Sequence, residues 1–476
     1  MPSPSFVRPL ALFAVGLSVG LSSFSAGVAV AAPEAPSKPP EPSAVRELLP
    51  FTKETLPNGL RVIFHVDHTV PTAVVNLSYR VGSRFEPKRR TGFAHLFEHL
   101  MFMGTKRAPT KAFDAWMEAS GGWNNAWTSE DRTDYYDVGP SQVLPLLLWL
   151  EADRLGELGP LMTREKLDAQ REVVRNERRQ TSENQPYGKA DLRLPELLFP
   201  EGHPYHHPVI GSHADLEAAS VDDVKQFFAT HYTASNASLV VAGDFDPVAT
   251  RALVVRYFGG LPTVPRASDP GLPKDAPKLS SVVRETMTDA VELPRVTFAW
   301  PSPKHFAKGD AELDVLAQVL AGTKASRLTE RLVFKEKLAQ RVEAYQASGA
   351  LESRFVVEVT ARPGASLSTL EAHVAEELER VRTKDATEAE VSRAKVGIET
   401  SLMTRLESVR ERASLLNAYE EETGDPGYLS KDLARYRAVT SRDLRETAAS
   451  TLSKSAHVVL TVLPAPEKAT ADRGGR

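Results

Sequence analysis

The sequence GFAHLFEHLMFMGT at residues 92–105 carries the most informative motif of the chain. If these residues form a helix, His95 and His99 stand one turn apart on the same face, because residues four apart are neighbours on a helix surface. Two imidazoles placed in this way can hold one zinc ion, and Glu98 then lies close enough to take a proton from a zinc-bound water. The stretch therefore predicts a helix with two metal ligands and a general base. The alternative is a pair of core histidines beside an unrelated glutamate.

The composition restricts the class of protein. The chain has 476 residues, of which 42% are hydrophobic and 25% charged, as in soluble globular proteins of two or three domains. A formal net charge of -4 provides no basic surface for nucleic acid, so that class is excluded. The chain has no cysteine, which excludes a thiolate zinc site, a cysteine nucleophile and disulfides. Any metal must therefore be held by His, Asp or Glu.

The first residues have the pattern of a secretory signal. Arg8 is the only charge there, an apolar run extends from Leu10 to about Val30, and small residues at 29–31 offer a cleavage site. The prolines that follow are typical of an extended linker. We therefore predict an exported protein, periplasmic if the source is a Gram-negative bacterium. The alternative is an uncleaved membrane anchor, because the apolar run approaches the length that spans a bilayer.

The chain contains a repeat with an offset of about 220 residues. SVDDVKQFF at 220–228 starts a helix that leads into LVVAGD at 239–244, a buried strand. TSRDLR at 440–445 leads in the same way into HVVLTV at 457–462. This repeat indicates a duplicated domain.

The second copy of the repeat lacks the metal ligands. The pair Gly322-Thr323 matches Gly104-Thr105, an offset of 218 residues. The same offset puts three apolar residues at the motif positions; they are Leu313, Leu316 and Ala317, in place of His95, Glu98 and His99. One half is therefore expected to carry the chemistry, while the other is a scaffold.

These signals set the predicted domain boundaries, with a proline-bearing stretch between the halves. They are a signal peptide at 1–31, a proline-rich linker at 32–50, an N-terminal zinc-bearing domain at 51–261, a linker at 262–282, a C-terminal domain without metal ligands at 283–466, and a tail at 467–476.

Apolar patterns predict the elements near the motif. Residues 60–66 and 73–81 are typical of paired strands and 124–138 of a further strand, with helices over 111–120, 142–155 and from Thr163 to about Gln180.

A third ligand is needed, because catalytic zinc sites have three protein ligands and an open position for water. The predicted helix after Thr163 offers Glu177, which follows the apolar pair Val173 and Val174 at four and three residues and so projects from the same face. Spacing alone leaves the alternative open that Glu177 is one of many charges on an exposed helix.

These motifs resemble those of the pitrilysin/insulinase family of zinc metallopeptidases, which have an inverted zinc motif and include mitochondrial processing peptidase. The resemblance rests on HLFEH at 95–99, NNAWT at 124–128, NERR at 176–179 and NASLVVAGD at 236–244. It covers the chain from about Phe51 to Pro464. It implies an α+β fold of two homologous domains, each with an antiparallel-dominated sheet flanked by helices.

The resemblance also implies the chemistry. The zinc ligands that it implies are His95, His99 and Glu177, with Glu98 as the base, and the activity that it implies is that of a zinc metalloendopeptidase that hydrolyses peptides or unfolded segments. Many relatives carry a further glutamate seven residues before the third ligand, where this chain has Gln170.

The resemblance implies that Asn125 and Ala126 lie on a strand that pairs with the substrate backbone, which gives affinity without reading much sequence. For Asn125 the alternative is a turn residue at a strand end. The rival function from another class is a non-catalytic structural or assembly subunit.

Active relatives also supply an arginine and, seven residues later, a tyrosine that steady the substrate carbonyl and the oxyanion. In this chain Val333 and Gln340 stand at those positions, and neither can do this work. We therefore expect a second family subunit that supplies the Arg/Tyr pair. The alternative is that a nearby residue substitutes; the choices are Arg331, Arg341 and Tyr345.

Overall fold

A computed structural model describes residues 49–273, the N-terminal half, and 278–466, the C-terminal half. The predicted signal peptide, nearly all of the first linker and the tail lie outside the described residues. Within the described residues, no helix combines the length and the apolar character needed to cross a membrane.

One sheet belongs to the N-terminal half. Its strands are β1 (Thr52–Thr55), β2 (Arg61–Val66), β3 (Thr72–Tyr79), β4 (Trp123–Thr128), β5 (Thr133–Pro140) and β6 (Ala237–Gly243). They lie in the order β1-β2-β6-β3-β5-β4, which leaves β4 at an edge. Only β2 and β6 are parallel among the neighbouring pairs.

The described residues of this half contain eight α-helices. They are α1 (Phe93–Leu100), α2 (Ala112–Ala119), α3 (Leu144–Glu157), α4 (Arg164–Glu177), α5 (Gly188–Leu198), α6 (His213–Ala218), α7 (Val221–His231) and α8 (Pro247–Phe258). A π-helical turn, Arg178–Glu183, continues α4. The main core lies between one face of the sheet and helices that include α1, α3 and α7, with Leu96, Leu148 and Val224 fully buried in it.

The C-terminal half repeats this plan. Its strands are β7 (Val282–Asp289), β8 (Arg295–Ser302), β9 (Ala339–Ala347), β10 (Ser353–Ala361) and β11 (His457–Pro464), in the order β7-β11-β8-β10-β9. Its helices are α9 (Asp310–Ala321), α10 (Leu367–Thr383), α11 (Glu388–Arg405), α12 (Val409–Thr423), α13 (Leu429–Ala438) and α14 (Ser441–Thr451), with a π-helical turn at Thr329–Lys335. Only β7 and β11 are parallel. The predicted fold class, two antiparallel-dominated sheets flanked by helices, is confirmed.

The two halves exchange helices. Leu194 of α5 packs with Val458 of β11, so a helix of the N-terminal half covers the sheet of the other. Leu416 of α12 packs with Val240 of β6, so the reverse also holds. This exchange buries the second face of both sheets and fixes the halves against each other.

The repeat is visible in the local structure. Ser220 and Thr440 each begin a helix, α7 and α14, with a reciprocal capping box to an aspartate three residues on. The stretch at the motif offset forms α9, where Leu313, Leu316 and Ala317 are all buried. The second copy is thus a helix whose ligand positions serve the core.

Two predictions about strands were wrong in detail. Residues 60–66 and 73–81 contain β2 and β3, but β6 lies between these strands, so they do not pair. Residues 124–138 form two strands, because the polar turn at 129–132 folds β5 back onto β4.

Candidate metal centre

The start of α1 depends on Gly92 and on a carboxylate that lies shortly before it in the sequence. Gly92 precedes the helix with φ +89°, and a Cβ there would come within 2.8 Å of the carbonyl oxygen of Ile210. The Glu86 carboxylate accepts hydrogen bonds from the N–H groups of Gly92 (3.0 Å) and Ala94 (2.8 Å). A helix start leaves such N–H groups without intrahelical partners. Burial raises the pKa of Glu86 well above its ordinary range, and the two hydrogen bonds oppose this effect.

The motif histidines, on α1, lie close to Glu177 at the end of α4. The Nε2 atom of His99 lies 3.1 Å from one Glu177 carboxylate oxygen, and Nε2 of His95 lies 3.7 Å from the other. One ligand atom from each of the three residues falls within 4.8 Å of the others. Among the described residues this is the only group of three or more His, Asp or Glu side chains close enough to share a metal ion.

The sequence of α4 explains how Glu177 is presented. The side chain of Thr163 caps the helix by accepting from the N–H of Lys166 (3.4 Å). Val174 is fully buried, and Glu177, three residues later, lies on the same face. The sequence argument also relied on Val173, but that side chain is 45% exposed. Only Val174 therefore marks the buried face.

The donor set fits zinc. Burial, followed by the neighbouring His99, lowers the pKa of His95 to about 4, which keeps this imidazole neutral. Burial alone would raise the pKa of Glu177, but the hydrogen bond with His99 and the nearby His95 lower it, so the carboxylate is ionised. Neutral imidazole and ionised carboxylate are the forms that bind metal. Two nitrogens and one oxygen match a catalytic zinc site with an open fourth position.

Glu98 lies beside these three residues and is tied to the sheet. Its Oε2 accepts a hydrogen bond of 2.5 Å from the hydroxyl of Thr128, the last residue of β4. Burial raises the pKa of Glu98 to about 7, although the hydrogen bond from Thr128 opposes this shift. A carboxylate that titrates near neutral pH is suited to take up and return a proton.

The edge strand β4 exposes part of its backbone. The N–H of Ser129 donates to the carbonyl of Arg132 (2.9 Å) and closes the turn between β4 and β5. In an antiparallel ladder bonded pairs alternate, so the N–H and C=O of Ala126 point away from β5. The Ala126 N–H instead donates to the Asn125 side-chain oxygen (2.8 Å). An added chain could therefore pair with this edge once the Asn125 side chain releases the Ala126 N–H.

The Gln170 position departs from the pattern of many relatives. Its amide nitrogen lies 2.8 Å from the sulfur of Met103. The Nδ1 atom of His95 is buried without a hydrogen-bond partner among the described residues. Metal-binding histidines usually donate this second nitrogen to a carboxylate, a carbonyl or water.

The residues at the expected arginine and tyrosine positions lie in the C-terminal half. Val333 is in the π-helical turn, and Gln340 is exposed on β9. Arg331 donates to Glu336, Glu376 and Glu377, so its guanidinium is already engaged. The other two alternatives also have carboxylate partners; Arg341 pairs with Glu343 and Tyr345 with Glu358.

Sequence reasoning missed two residues that hold the site. Glu86 lies six residues before Gly92. A sequence signal for its role exists, because α1 starts without a Ser, Thr, Asp or Asn cap of its own and its first N–H groups need an acceptor from elsewhere. Thr128 ends the NNAWT motif at 124–128, but the motif does not indicate a role for its hydroxyl. Its contact with Glu98 depends on β4 running beside α1, which no local pattern encodes.

Two models of known protein families match this chain. The model described as Insulinase (Peptidase family M16) matches residues 61–198, which include His95, Glu98, His99 and Glu177. The model described as Peptidase M16 inactive domain matches residues 218–397, which include the motif-like helix without ligands.

Individual relatives agree with these models. The zinc protease PqqE of Helicobacter pylori is 29% identical over 370 residues, covering 77% of this chain and 82% of that protein. A mitochondrial-processing peptidase subunit beta of Lentinula edodes is 28% identical over 272 residues, covering 54% of this chain and 56% of that protein. The crystal structure of a protease from Helicobacter pylori has a TM-score of 0.81 and 27% identity, covering 87% of this chain and all of the other.

Proposed function

Because this chain belongs to the M16 (insulinase) family, which includes zinc proteases, we propose that it is a zinc metalloendopeptidase acting on peptides or unfolded segments. The observation that carries the proposal is the convergence of His95, His99 and Glu177, with Glu98 beside them and an unpaired sheet edge adjacent. A pure scaffold would need none of these groups in this arrangement.

The roles of the residues follow from their chemistry. His95, His99 and Glu177 would hold Zn2+, which when bound polarises the scissile carbonyl and lowers the pKa of water. Glu98 takes the proton of the attacking water and passes it to the leaving amine. Thr128 holds the Glu98 carboxylate by its hydrogen bond.

The substrate would bind as an added strand on β4. The outward N–H and C=O groups around Ala126 pair with the backbone of an extended peptide, and Asn125 flanks them. Backbone pairing needs an unfolded segment, because a folded substrate already uses its own N–H and C=O groups. This mode predicts a preference for peptides or unfolded regions over compact proteins.

We propose further that the enzyme works with a second family subunit. The side chain of Val333 has no donor, Gln340 offers only a neutral amide in place of a phenol, and Arg331 is engaged by three glutamates. Removing an oxyanion donor typically costs about 10²–10³-fold in kcat. The relative named as a beta subunit supports this arrangement. The isolated chain should therefore bind zinc and cleave slowly, and full activity from a purified homo-oligomer would refute the pairing.

The proposed location is the periplasm or the exterior of the cell, on the strength of the signal-like pattern at residues 1–31. Fractionation of the native host tests it. Recovery of the chain with cytoplasmic markers would reject export.

Metal analysis and turnover together test the function. The purified chain should carry one zinc ion, and Glu98→Gln should keep that ion while kcat falls about 10²–10⁴-fold. The turnover assay uses an unfolded polypeptide, with and without proteins that co-purify from the native host. A chain that binds no zinc and cleaves nothing in either condition would favour the structural-subunit alternative.

A further inference from the structure

The turn that follows Thr128 is hydrogen-bonded to the C-terminal half. Asp131, in the turn between β4 and β5, accepts through Oδ2 a hydrogen bond of 3.0 Å from the backbone N–H of Ala350. Ala350 belongs to the turn between β9 and β10. The polypeptide segment next to the proposed base is therefore fastened to the half without metal ligands.

Tyr205 completes this contact. Its hydroxyl donates to Asp131 Oδ1 (2.6 Å) and accepts from the backbone N–H of Leu351 (3.0 Å), and the residue is only 3% exposed. Arg84 forms an ion pair with the same Asp131 oxygen (2.9 Å). Asp131, Tyr205, Arg84 and the turn at 350–351 form what we call the clasp, which joins four separate segments.

The surroundings of Tyr205 fix its direction. His203 Nδ1 accepts from the N–H of Tyr205 (2.9 Å), while its Nε2 lies 3.2 Å from the Glu352 carboxylate, again in the C-terminal half. His203 also stacks on Phe199, with ring centroids 4.6 Å apart. The loop around residues 203–205, which has no part in the metal centre, thus serves to hold the clasp.

The clasp lies three residues from the contact with Glu98. The backbone carbonyls of Ser129 and Glu130 accept hydrogen bonds from the N–H groups of Ser83 (3.1 Å) and Arg84 (3.0 Å). The backbone of the turn is therefore also held by the segment at 83–84. A turn fixed at both its backbone and its Asp131 side chain leaves the end of β4 little freedom. The position of the Thr128 hydroxyl is then set by contacts that cross between the halves.

We propose that Asp131 and Tyr205 are positioning residues, which fasten the β4–β5 turn to the C-terminal half and so hold Thr128 against Glu98. The proposal rests on the proposed peptidase function for its kinetic consequence. It assigns to the C-terminal half a part in catalysis within the same chain, separate from any residue that a second subunit supplies.

Hydrogen–deuterium exchange of the metal-free protein tests the clasp without turnover. Tyr205→Phe removes only the hydroxyl, and we expect faster exchange in residues 123–140 and 345–354. Tyr419→Phe is the matched control, because Tyr419 is equally buried (2% exposed) and donates to a carboxylate, Asp432 (2.9 Å), inside the C-terminal half. Unchanged exchange at 123–140 in Tyr205→Phe overturns the proposal, whether or not the protein proves to be a peptidase.

Kinetics test the consequence for Glu98. Tyr205→Phe and Asp131→Asn should lower kcat about tenfold to a hundredfold with unchanged zinc content, since a displacement of about 1 Å can cost as much. Thr128→Val should lower kcat similarly, and Thr128→Ser, which keeps the hydroxyl, should restore it. A lower melting temperature with unchanged kcat would mean that the clasp is only structural, and would overturn the proposal.

A double variant tests whether Tyr205 affects kcat through Thr128 or independently of it. If Tyr205 acts through Thr128, the variant Thr128→Val with Tyr205→Phe should be no slower than Thr128→Val alone. Effects that multiply would show independent actions and overturn the proposal. Wild-type protein that binds no zinc would instead defeat the peptidase function, while the exchange experiment would still decide the clasp.

Discussion

Removal of the Glu86 carboxylate should loosen the helix that carries the metal ligands. The Glu86 side chain is fully buried and accepts from the N–H groups of Gly92 and Ala94 at the start of α1. His95 is the third residue of that helix, so its position depends directly on how the first turn is held. Glu86→Ala deletes both acceptors without touching a metal ligand.

The structure sets the size of the effect. A buried donor left without a partner costs about 1–3 kcal/mol, so two of them predict a loss of about 2–6 kcal/mol in the free energy of unfolding. Glu86→Gln keeps one amide oxygen, and we expect a loss of about 1–3 kcal/mol. Because His95 is the third residue of the helix that Glu86 holds, zinc binding by Glu86→Ala should also weaken.

Urea unfolding of the metal-free protein and zinc competition with a chelator measure the two effects. Glu312→Ala is the matched control, because Glu312 accepts from the N–H of Gly309 (2.9 Å) at the start of α9, the equivalent helix without ligands. This control should lose stability but keep the zinc affinity of the wild type. An unchanged urea midpoint and an unchanged zinc affinity in Glu86→Ala would refute the reasoning.

Three further predictions follow from separate features. Asn417 is fully buried and its amide donates to the carbonyl (3.0 Å) and side-chain oxygen (2.7 Å) of Asn76 across the halves, so Asn417→Ala should cost about 2–5 kcal/mol in urea unfolding; a loss below about 0.5 kcal/mol would contradict this. Hydrogen bonds from Arg327 lower the pKa of Glu390 from 4.5 to about 2, so their stabilisation is present above pH 4.5 and is lost as the pH falls towards 2. Glu390→Gln should flatten the pH dependence of the unfolding free energy in that window, and an identical slope would disprove the contribution. A peptide substrate N-methylated at the amides that pair with β4 should resist cleavage, whereas methylation at the alternate amides should be tolerated, and equal cleavage of both would exclude strand addition.

Much of the site could be predicted from the sequence because its spacing is local. His95, Glu98 and His99 share one helix, and the face of Glu177 follows from Val174 three residues before it. The repeat could be recognised for the same reason, since a capping box and a following apolar strand are short-range patterns. The absence of ligands in α9 could be predicted once the offset was known.

Features that depend on distant contacts could not be predicted. Nothing in β2 or β3 indicates that β6 inserts between them, because the choice of strand partner is decided by the packing of the whole sheet. The division of residues 124–138 was missed because strand-forming residues stand on both sides of a short polar turn. The exchange of α5 and α12 between the halves, and the clasp at Asp131, join segments that are far apart in the chain.

The most direct measurement is anomalous scattering at the zinc edge from crystals of the metal-loaded chain. The account predicts one peak within about 2.0–2.2 Å of the imidazoles of His95 and His99 and of the Glu177 carboxylate. A peak at another cluster, or a zinc ion on the two histidines with Glu177 turned away into solvent, would contradict it.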